Sequence, residues 1–199
     1  MRVTKMHGAG NDYIYALPDR ERDWGELALK MSDRHFGIGA DGLIIGLKSD
    51  VADMRMRMWN ADGSEAEMCG NGIRCLVKFA VEEGFLPKDA DNVSVETLGG
   101  IKILQLFRED GVITAARVDM GPPNFAPASL PANVEGDGPV VDLPLVVDGM
   151  DLKLTLVSMG NPHAIHYIDH DPATFPLERI GPQVENHPLF PRRTNFQVV

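Results

Sequence analysis

The chain has 199 residues, 44% of them apolar, enough to build one large domain or two small ones around ordinary cores. A formal net charge of −10 and a sequence pI near 5.0, with Lys and Arg scattered along the chain, exclude the basic surface used for non-specific nucleic-acid binding. No run approaches the roughly 18 apolar residues of a membrane span, and "MRVTKMHGAGNDY" turns polar too early for a signal peptide, so a cytoplasmic location without a membrane partner is expected.

In chain order, "RVTKMHG" and "DYIYAL" read as strands around a Gly-Asn turn. "DWGELALKMSDRH" reads as an amphipathic helix with Trp24, Leu27, Ala28 and Met31 on its buried face. "LIIGL" and "MRMRMW" follow as strands. In the second of these, Met54, Met56 and Met58 alternate with Arg55 and Arg57, the period of a half-buried strand. After the "NADGSEAE" turn, residues 73–83 predict a helix apolar nearly all round, with Arg74, Lys78 and Glu82 as one narrow polar stripe. A helix of that kind belongs inside a sheet.

"NVSVETL", "IKILQLF" and "VITAARVDM" then predict a three-stranded meander. The Pro/Gly/Ala-rich stretch "GPPNFAPASLPANVEGDGP" marks a passage between domains, which divides the chain into residues 1–118 and 119–199. Beyond it, "VVDLPLVVDGMDLKLTLVSMGNPHAIHYI" is strand-rich again, followed by a short helical stretch and "RRTNFQVV". The outline of the second part repeats the first: "KMHGAGNDYIYAL" and "LVSMGNPHAIHYI" both read strand, Gly-Asn turn, strand. The spacing from Asn11 to Cys69, carried over from Asn161, points beyond Val199.

The only two cysteines lie in "MCGNGIRC". Cys69 stands before a helix, in a glycine-rich turn where backbone N–H groups can crowd an anion, and the reactive form of a thiol is the thiolate. Cys75 falls within the apolar helix among Ile73, Leu76 and Phe79 and reads as core. Six helical residues separate the two by about 9 Å of rise and a large rotation, so they cannot flank one carbon atom or close a short disulfide. No Cys or His spacing completes a four-ligand zinc set, so no metal is expected. Asn11, Asn60, Asn71, Asn161 and Asn195 all stand beside Gly, Pro or strand ends; each suits a turn, and as a set their neutral amides can bind both ends of an amino acid. His163, in "GNPHA", is placed either as a structural residue or as one that tunes a nearby thiol.

Taken together, "KMHGAGNDY", "HFGIGADG", "WNADGSEAEMCGNGIRC", "SMGNPHA" and "FPRRTNF" resemble diaminopimelate epimerase, over residues 1–199. The resemblance implies an α+β fold of two pseudo-repeated domains, each an antiparallel sheet or barrel wrapped around a central helix, with the second incomplete here and the site in the cleft between them. It implies cofactor-independent interconversion of LL- and meso-diaminopimelate, without pyridoxal phosphate or metal, in lysine and peptidoglycan-precursor biosynthesis. Two cysteines on opposite sides of the substrate α-carbon would take and return the proton. Cys69 matches the first of them. Asn11, Asn60, Gly70, Asn71, Asn161 and Asn195 match positions that hold the substrate's amino-acid end, and His163 matches one thought to tune the thiols. A homodimer is a candidate assembly.

Two departures from the pattern carry consequences. Gly42 stands where many members have a substrate-contacting glutamine, so that contact is expected to be lost or taken over by backbone. The second cysteine and a preceding Glu-Arg pair would lie past Val199. Stereoinversion needs an acid and a base on opposite faces, so this chain alone is expected to be inactive or weakly active. Related folds offer rivals. A proline racemase would carry His in place of Asn71, and a phenazine-pathway isomerase would carry a carboxylate in place of the thiol; neither appears. The other alternative is a non-catalytic domain that binds an amino acid or a partner protein.

Overall fold

The computed structural model describes residues 1–199, Ala128 by its backbone alone. By its internal contacts the chain divides into two units, Met1–Met120 and Gly121–Val199.

In the first unit, β1 (Thr4–Gly8) and β2 (Asn11–Ala16) form an antiparallel hairpin. Its two turn residues, Ala9 and Gly10, both have positive φ (52° and 92°), the form of two-residue turn whose twist matches that of paired strands. Helix α1 (Trp24–Ser32) starts at Asp23, whose side chain accepts from the Glu26 N–H at 2.9 Å, and it buries Trp24 and Ala28. This helix is a crossover, so β3 (Gly42–Leu47) returns parallel to β2. Strand β4 (Met54–Asn60) is antiparallel to β3, buries Met54, Met56 and Met58, and carries the two-residue strand β5 (Glu65–Ala66). Helix α2 (Gly70–Glu82) is the second crossover. Strand β6 (Asn92–Thr97) therefore runs parallel to β4 before β7 (Gly100–Glu109) and β8 (Val112–Asp119) complete the antiparallel meander.

The strand order is β1-β2-β3-β4-β6-β7-β8, a mixed sheet that curls around α2. Alternation along β2 and β3 serves two cores. Tyr13, Tyr15 and Ile44 face α2, where they meet Ile73, Leu76, Val77 and Ala80, while Ile14, Ala16, Leu43 and Ile45 face Trp24 and Ala28 of α1 and Trp59. Burial on both faces explains why "YIYA" and "LIIGL" read as unbroken apolar runs. Full burial of one such large side chain is worth roughly 1.5–3 kcal/mol, so Ile73, Leu76 and Val77, wholly enclosed, anchor α2 firmly in the unit.

In the second unit, β9 (Leu143–Val147), β10 (Met150–Ser158) and β11 (Pro162–His166) are antiparallel neighbours. Helix α3 (Leu177–Glu185) leads into β12 (Asn195–Val198), which runs parallel to β11. The sheet order is β12-β11-β10-β9. Ile180 and Val184 of α3 are buried with Leu152, Leu154, Phe175 and Phe190. Among the described residues, no helix is long and apolar enough to cross a membrane.

Three features differ from the sequence expectation. The sheets are mixed rather than antiparallel, because each of the three parallel pairs (β2/β3, β4/β6 and β11/β12) closes over an intervening helix. Helix α2 starts at Gly70 rather than 73; glycines weaken the local helix signal, but the buried face of the helix already includes Gly72. In the second unit α3 lies against its sheet on one face, with Leu177, Glu178, Arg179 and Gln183 exposed, instead of being enclosed by strands.

Candidate active site

Cys69 does not merely precede α2; it is the residue that caps it. Its backbone is extended (φ −132°, ψ 118°), its carbonyl accepts from Ile73 N–H at 2.9 Å, and its Sγ accepts from Gly72 N–H at 3.4 Å. The sulfur thus occupies the place usually taken by a Ser or Asp oxygen, at the positive end of the helix, where a thiolate is favourably placed. Gly72 packs tightly against β3: a Cβ there would displace the end of the Ile44 side chain, Cδ1, and stand 3.5 Å from Cys69 Cβ. Cys69 is half-buried and Cys75 buried. The Cys75 Sγ lies one helical turn and a half further along, beside Gly8 and the Tyr15 hydroxyl, and it faces a different part of the unit.

The hairpin brings Asn11 to the first turn of α2. Gly8 rests on the first turn of α2 so closely that a Cβ would stand 2.9 Å from the Asn71 carbonyl oxygen. Asn11, paired with Gly8 at the end of the hairpin, is thereby set against Asn71, whose Nδ2 donates to Asn11 Oδ1 at 2.6 Å. Asn11 Nδ2 donates in turn to Asp41 Oδ2 at 3.3 Å, and Arg74 donates to Asn71 Oδ1 at 2.8 Å and to the Gly70 carbonyl at 3.0 Å. Behind this row, Arg34 forks onto both oxygens of Asp12 at 2.7 and 3.0 Å and reaches Asp41 at 2.9 Å, and Lys5 meets Asp12 at 3.0 Å. The Arg34 guanidinium first, and the Lys5 ammonium second, hold the Asp12 carboxyl far below the usual carboxylate range.

Tyr13, Gly42 and Asn60 form a row across β2, β3 and β4. The Tyr13 ring fills the space beside Gly42, where a Cβ would come within 3.1 Å of its Cε1 and would collide with the Trp59 carbonyl. The Tyr13 hydroxyl faces Cys69. Burial first, then negative charge on Cys69 and the hydrogen bond with it, push its pKa upward, so it remains a protonated donor. Asn60 lies two strands away and is exposed. Its Nδ2 donates to Ser64 Oγ at 3.0 Å, and its backbone closes the turn through Gly63 and Ser64, so in this structure its contacts are those of a turn residue.

In the second unit the expected residues gather at the start of β11 and β12, where His163 and Asn195 are register partners. Asn195 Nδ2 donates to the Pro162 carbonyl at 2.9 Å. Asn161 Oδ1 lies 2.9 Å from His163 Nε2, and Gln197 Nε2 lies 3.1 Å from His163 Nδ1. With an amide N–H on Nδ1 and an amide oxygen on Nε2, the consistent state is a neutral ring with its proton on Nε2. Desolvation by burial, which lowers the His163 pKa, favours the same neutral state. Sequence reasoning missed Tyr13, Asp41 and Gln197 altogether and placed Arg74 only as part of a polar stripe. The polarity of Asp41 and Arg74 gave no signal on its own; their pairing with Asn11 and Asn71 would have done so. Among the described residues, no group of three or more His, Cys, Asp or Glu side chains is placed to hold a metal ion.

The sequence profile of diaminopimelate epimerase matches residues 3–126, the segment that carries Asn11, Cys69 and Asn71. Diaminopimelate epimerase of Acetivibrio thermocellus is 49% identical over 201 aligned residues, which take in the whole of this chain and 70% of that protein. The enzyme of Desulfovibrio desulfuricans is 51% identical, over 99% of this chain and 70% of its own length. The chain belongs to the diaminopimelate epimerase family. The family is enzymatic, and its members are epimerases, a class of isomerase.

Two solved structures share the fold at much lower identity. A probable proline racemase from Agrobacterium radiobacter superposes with a TM-score of 0.63 at 16% identity, over 92% of this chain and 54% of the other. A phenazine biosynthesis protein of the PhzF family from Bacillus anthracis gives 0.56 at 22% identity, over 85% and 57%.

Proposed function

We propose that this chain carries one face of a cofactor-independent, two-base site that interconverts LL- and meso-diaminopimelate. The observation that carries the reading is Cys69: a half-buried thiol at the positive end of an enclosed helix, with the Gly72 N–H on its sulfur and the hydrogen-bonded pair Asn11–Asn71 on the same helical turn. In the proposed reaction the Cys69 thiolate accepts the α-proton, the C–H electron pair stays on carbon, and a second acid on the opposite face donates a proton to it. The two steps balance with no oxidant or co-substrate. The α-proton is weakly acidic, so donors around the substrate carboxylate must stabilise the carbanion. Gly70, Asn11 and Asn71 are the nearest suppliers in the first unit. Asn60, Asn161 and Asn195 are assigned to the amino-acid end of the substrate by resemblance, and His163 by resemblance to tuning of the thiol.

The geometry of His163 favours a narrower role for it. Both ring nitrogens are engaged by amides, which suits orienting Asn161 better than exchanging a proton. Cys75 is not the second acid, because its sulfur sits by Gly8 and Tyr15 in the core of the first unit. Two further readings rest on supporting observations only. The hairpin–helix–parallel-strand sequence β1-β2-α1-β3 is matched by β10-β11-α3-β12, which supports reading the units as copies of one plan, with a first epimerase-like domain over 1–118 and the second from 119. A reducing cytoplasm suits an enzyme that works through a free thiol.

Two assays on the purified chain test the function together, one following LL-to-meso conversion and the other deuterium uptake at the α-carbon in D₂O. Slow deuterium uptake that disappears in Cys69→Ser, with no net inversion, is expected. Removing one acid/base group should cost about 10²–10⁴-fold in the step it serves. Clear inversion by residues 1–199, abolished in the same variant, would place a second acid within them and defeat the one-face account.

A further inference from the structure

The row of side chains Asp41, Asn11, Asn71 and Arg74 has a property that none of its members has alone. A side-chain amide can be turned end for end with little change in shape, so a pair of asparagines in contact ordinarily has two arrangements. Here the ends of the row are charged groups with one hydrogen-bonding sense each: ionised Asp41 can only accept, and Arg74 can only donate. Asp41 Oδ2 takes the Asn11 Nδ2–H at 3.3 Å, which turns Asn11 Oδ1 toward Asn71. Asn11 Oδ1 takes the Asn71 Nδ2–H at 2.6 Å, which turns Asn71 Oδ1 toward Arg74, and Arg74 closes the row at 2.8 Å. Reversing either amide would set N–H against N–H or oxygen against carboxylate at a charged end.

Both ends are themselves held. Asp41 accepts from the Asp12 N–H at 3.1 Å and from Arg34 at 2.9 Å, and Arg74 spends a second nitrogen on the Gly70 carbonyl at 3.0 Å. Each amide group uses one of its two N–H bonds in the row, leaving one N–H on Asn11 and one on Asn71 unspent at the first turn of α2.

We propose that Asp41 and Arg74 are positioning residues that lock the Asn11–Asn71 pair in this single polarity, so that it presents two N–H donors to a carboxylate of the substrate and rejects an ammonium group there. The proposal deepens the functional reading above and rests on it for the identity of the ligand. Neither Asp41 nor Arg74 touches the reacting atoms. Their effect passes through the orientation of the two amides, and a charged hydrogen-bonding partner is strong enough to impose it.

The test uses the whole chain in two arms. In the first, without ligand, the side-chain NH₂ signals of Asn11 and Asn71 are assigned by single substitution and followed by ¹H–¹⁵N NMR in Arg74→Met, Arg74→Lys and Asp41→Asn. Arg74→Met is expected to move or broaden the Asn71 signals, and Arg74→Lys, which still donates, to restore them. Asp41→Asn, which can both donate and accept, should disturb those of Asn11. Unmoved signals in Arg74→Met and Asp41→Asn, both folded by circular dichroism, would overturn the proposal. In the second arm, diaminopimelate is titrated into each protein. Binding is expected to weaken about tenfold in Arg74→Met and to recover in Arg74→Lys. A loss that Lys does not recover at all would mean that Arg74 acts on the ligand directly or only on folding, and would also overturn it. If the ligand-free signals respond as expected while the unsubstituted chain binds no diaminopimelate, the polarity lock stands and the substrate reading fails.

Discussion

The two units solve the same problem, holding asparagine amides in place, with opposite materials. In the first unit the amides are tied between charges: Asp41 and Arg34 behind Asn11, Arg74 behind Asn71. In the second, a neutral chain runs from Gln197 through the His163 ring to Asn161, with no formal charge in it. The first arrangement stands at the start of α2, the helix that Cys69 caps. The second contains an imidazole whose pKa burial lowers, which favours its neutral form. The lesson is that polar residues of one type need not share an electrostatic environment, and their roles follow from what stands behind them.

This contrast can be broken or sharpened at three depths. The largest effect is expected from Leu76→Ala, which empties a fully enclosed place in α2 and should destabilise the chain by about 2–5 kcal/mol in denaturant unfolding. Cys69 alkylation by iodoacetamide should change with it, because the thiol is seated on that helix. Leu154→Ala, equally buried in the second unit, should cost a similar amount and leave Cys69 labelling as it was. If both variants changed labelling alike, the first unit would not be the sole support of the thiol.

The next effect concerns charge. Asp12 has its pKa lowered by Arg34 and Lys5, so in the folded chain it remains ionised to lower pH than in the unfolded chain. Its contribution is fully present above the unfolded value of about 4 and is lost as pH falls through the folded one. Asp12→Asn is therefore expected to lose stability at pH 7, on the order of 1–3 kcal/mol for a charged hydrogen-bonded group, with the gap to the parent chain closing below about pH 4. A gap that stays constant down to pH 2 would remove the ion pairs from the account. The smallest effect belongs to the neutral chain. Gln197→Leu should alter stability by less than about 1 kcal/mol, but ¹⁵N spectra of the His163 ring should lose the single Nε2–H tautomer and show a mixture. A ring that keeps one tautomer without Gln197 would show that Asn161 alone sets it.

Much of the frame could be read before any coordinates. The Met54, Met56 and Met58 alternation, the all-round apolar character of α2 and the Gly-Asn hairpin are local signals, and local signals survive folding. The parallel pairings could not be read, because the direction in which a strand returns depends on where α1, α2 or α3 docks. Cys69 and the asparagines were visible by type and setting; their partners were not. Asp41 meets Asn11 across 30 residues and Asn71 meets Asn11 across 60, and nothing in the immediate neighbourhood of either residue announces the meeting. Asn60 shows the converse: its setting suited a turn, and in the folded chain its amide bonds Ser64 within that turn.

Because the Cys69 sulfur is also the group that ends α2, covalent change at that atom is felt by the backbone. An alkyl or oxygen adduct replaces a compact acceptor with a bulky or differently shaped one, and Gly72 N–H must then find water or remain bare. Inactivation by a thiol reagent should thus appear as fraying of the first helical turn as well as loss of a nucleophile, visible as faster hydrogen exchange at Gly72 and Ile73. Serine in place of Cys69 keeps an oxygen for the same N–H and removes only the chemistry, whereas alanine removes both. A comparison of these two substitutions therefore separates the residue's work as an end-stop of the helix from the proton-accepting role proposed for it.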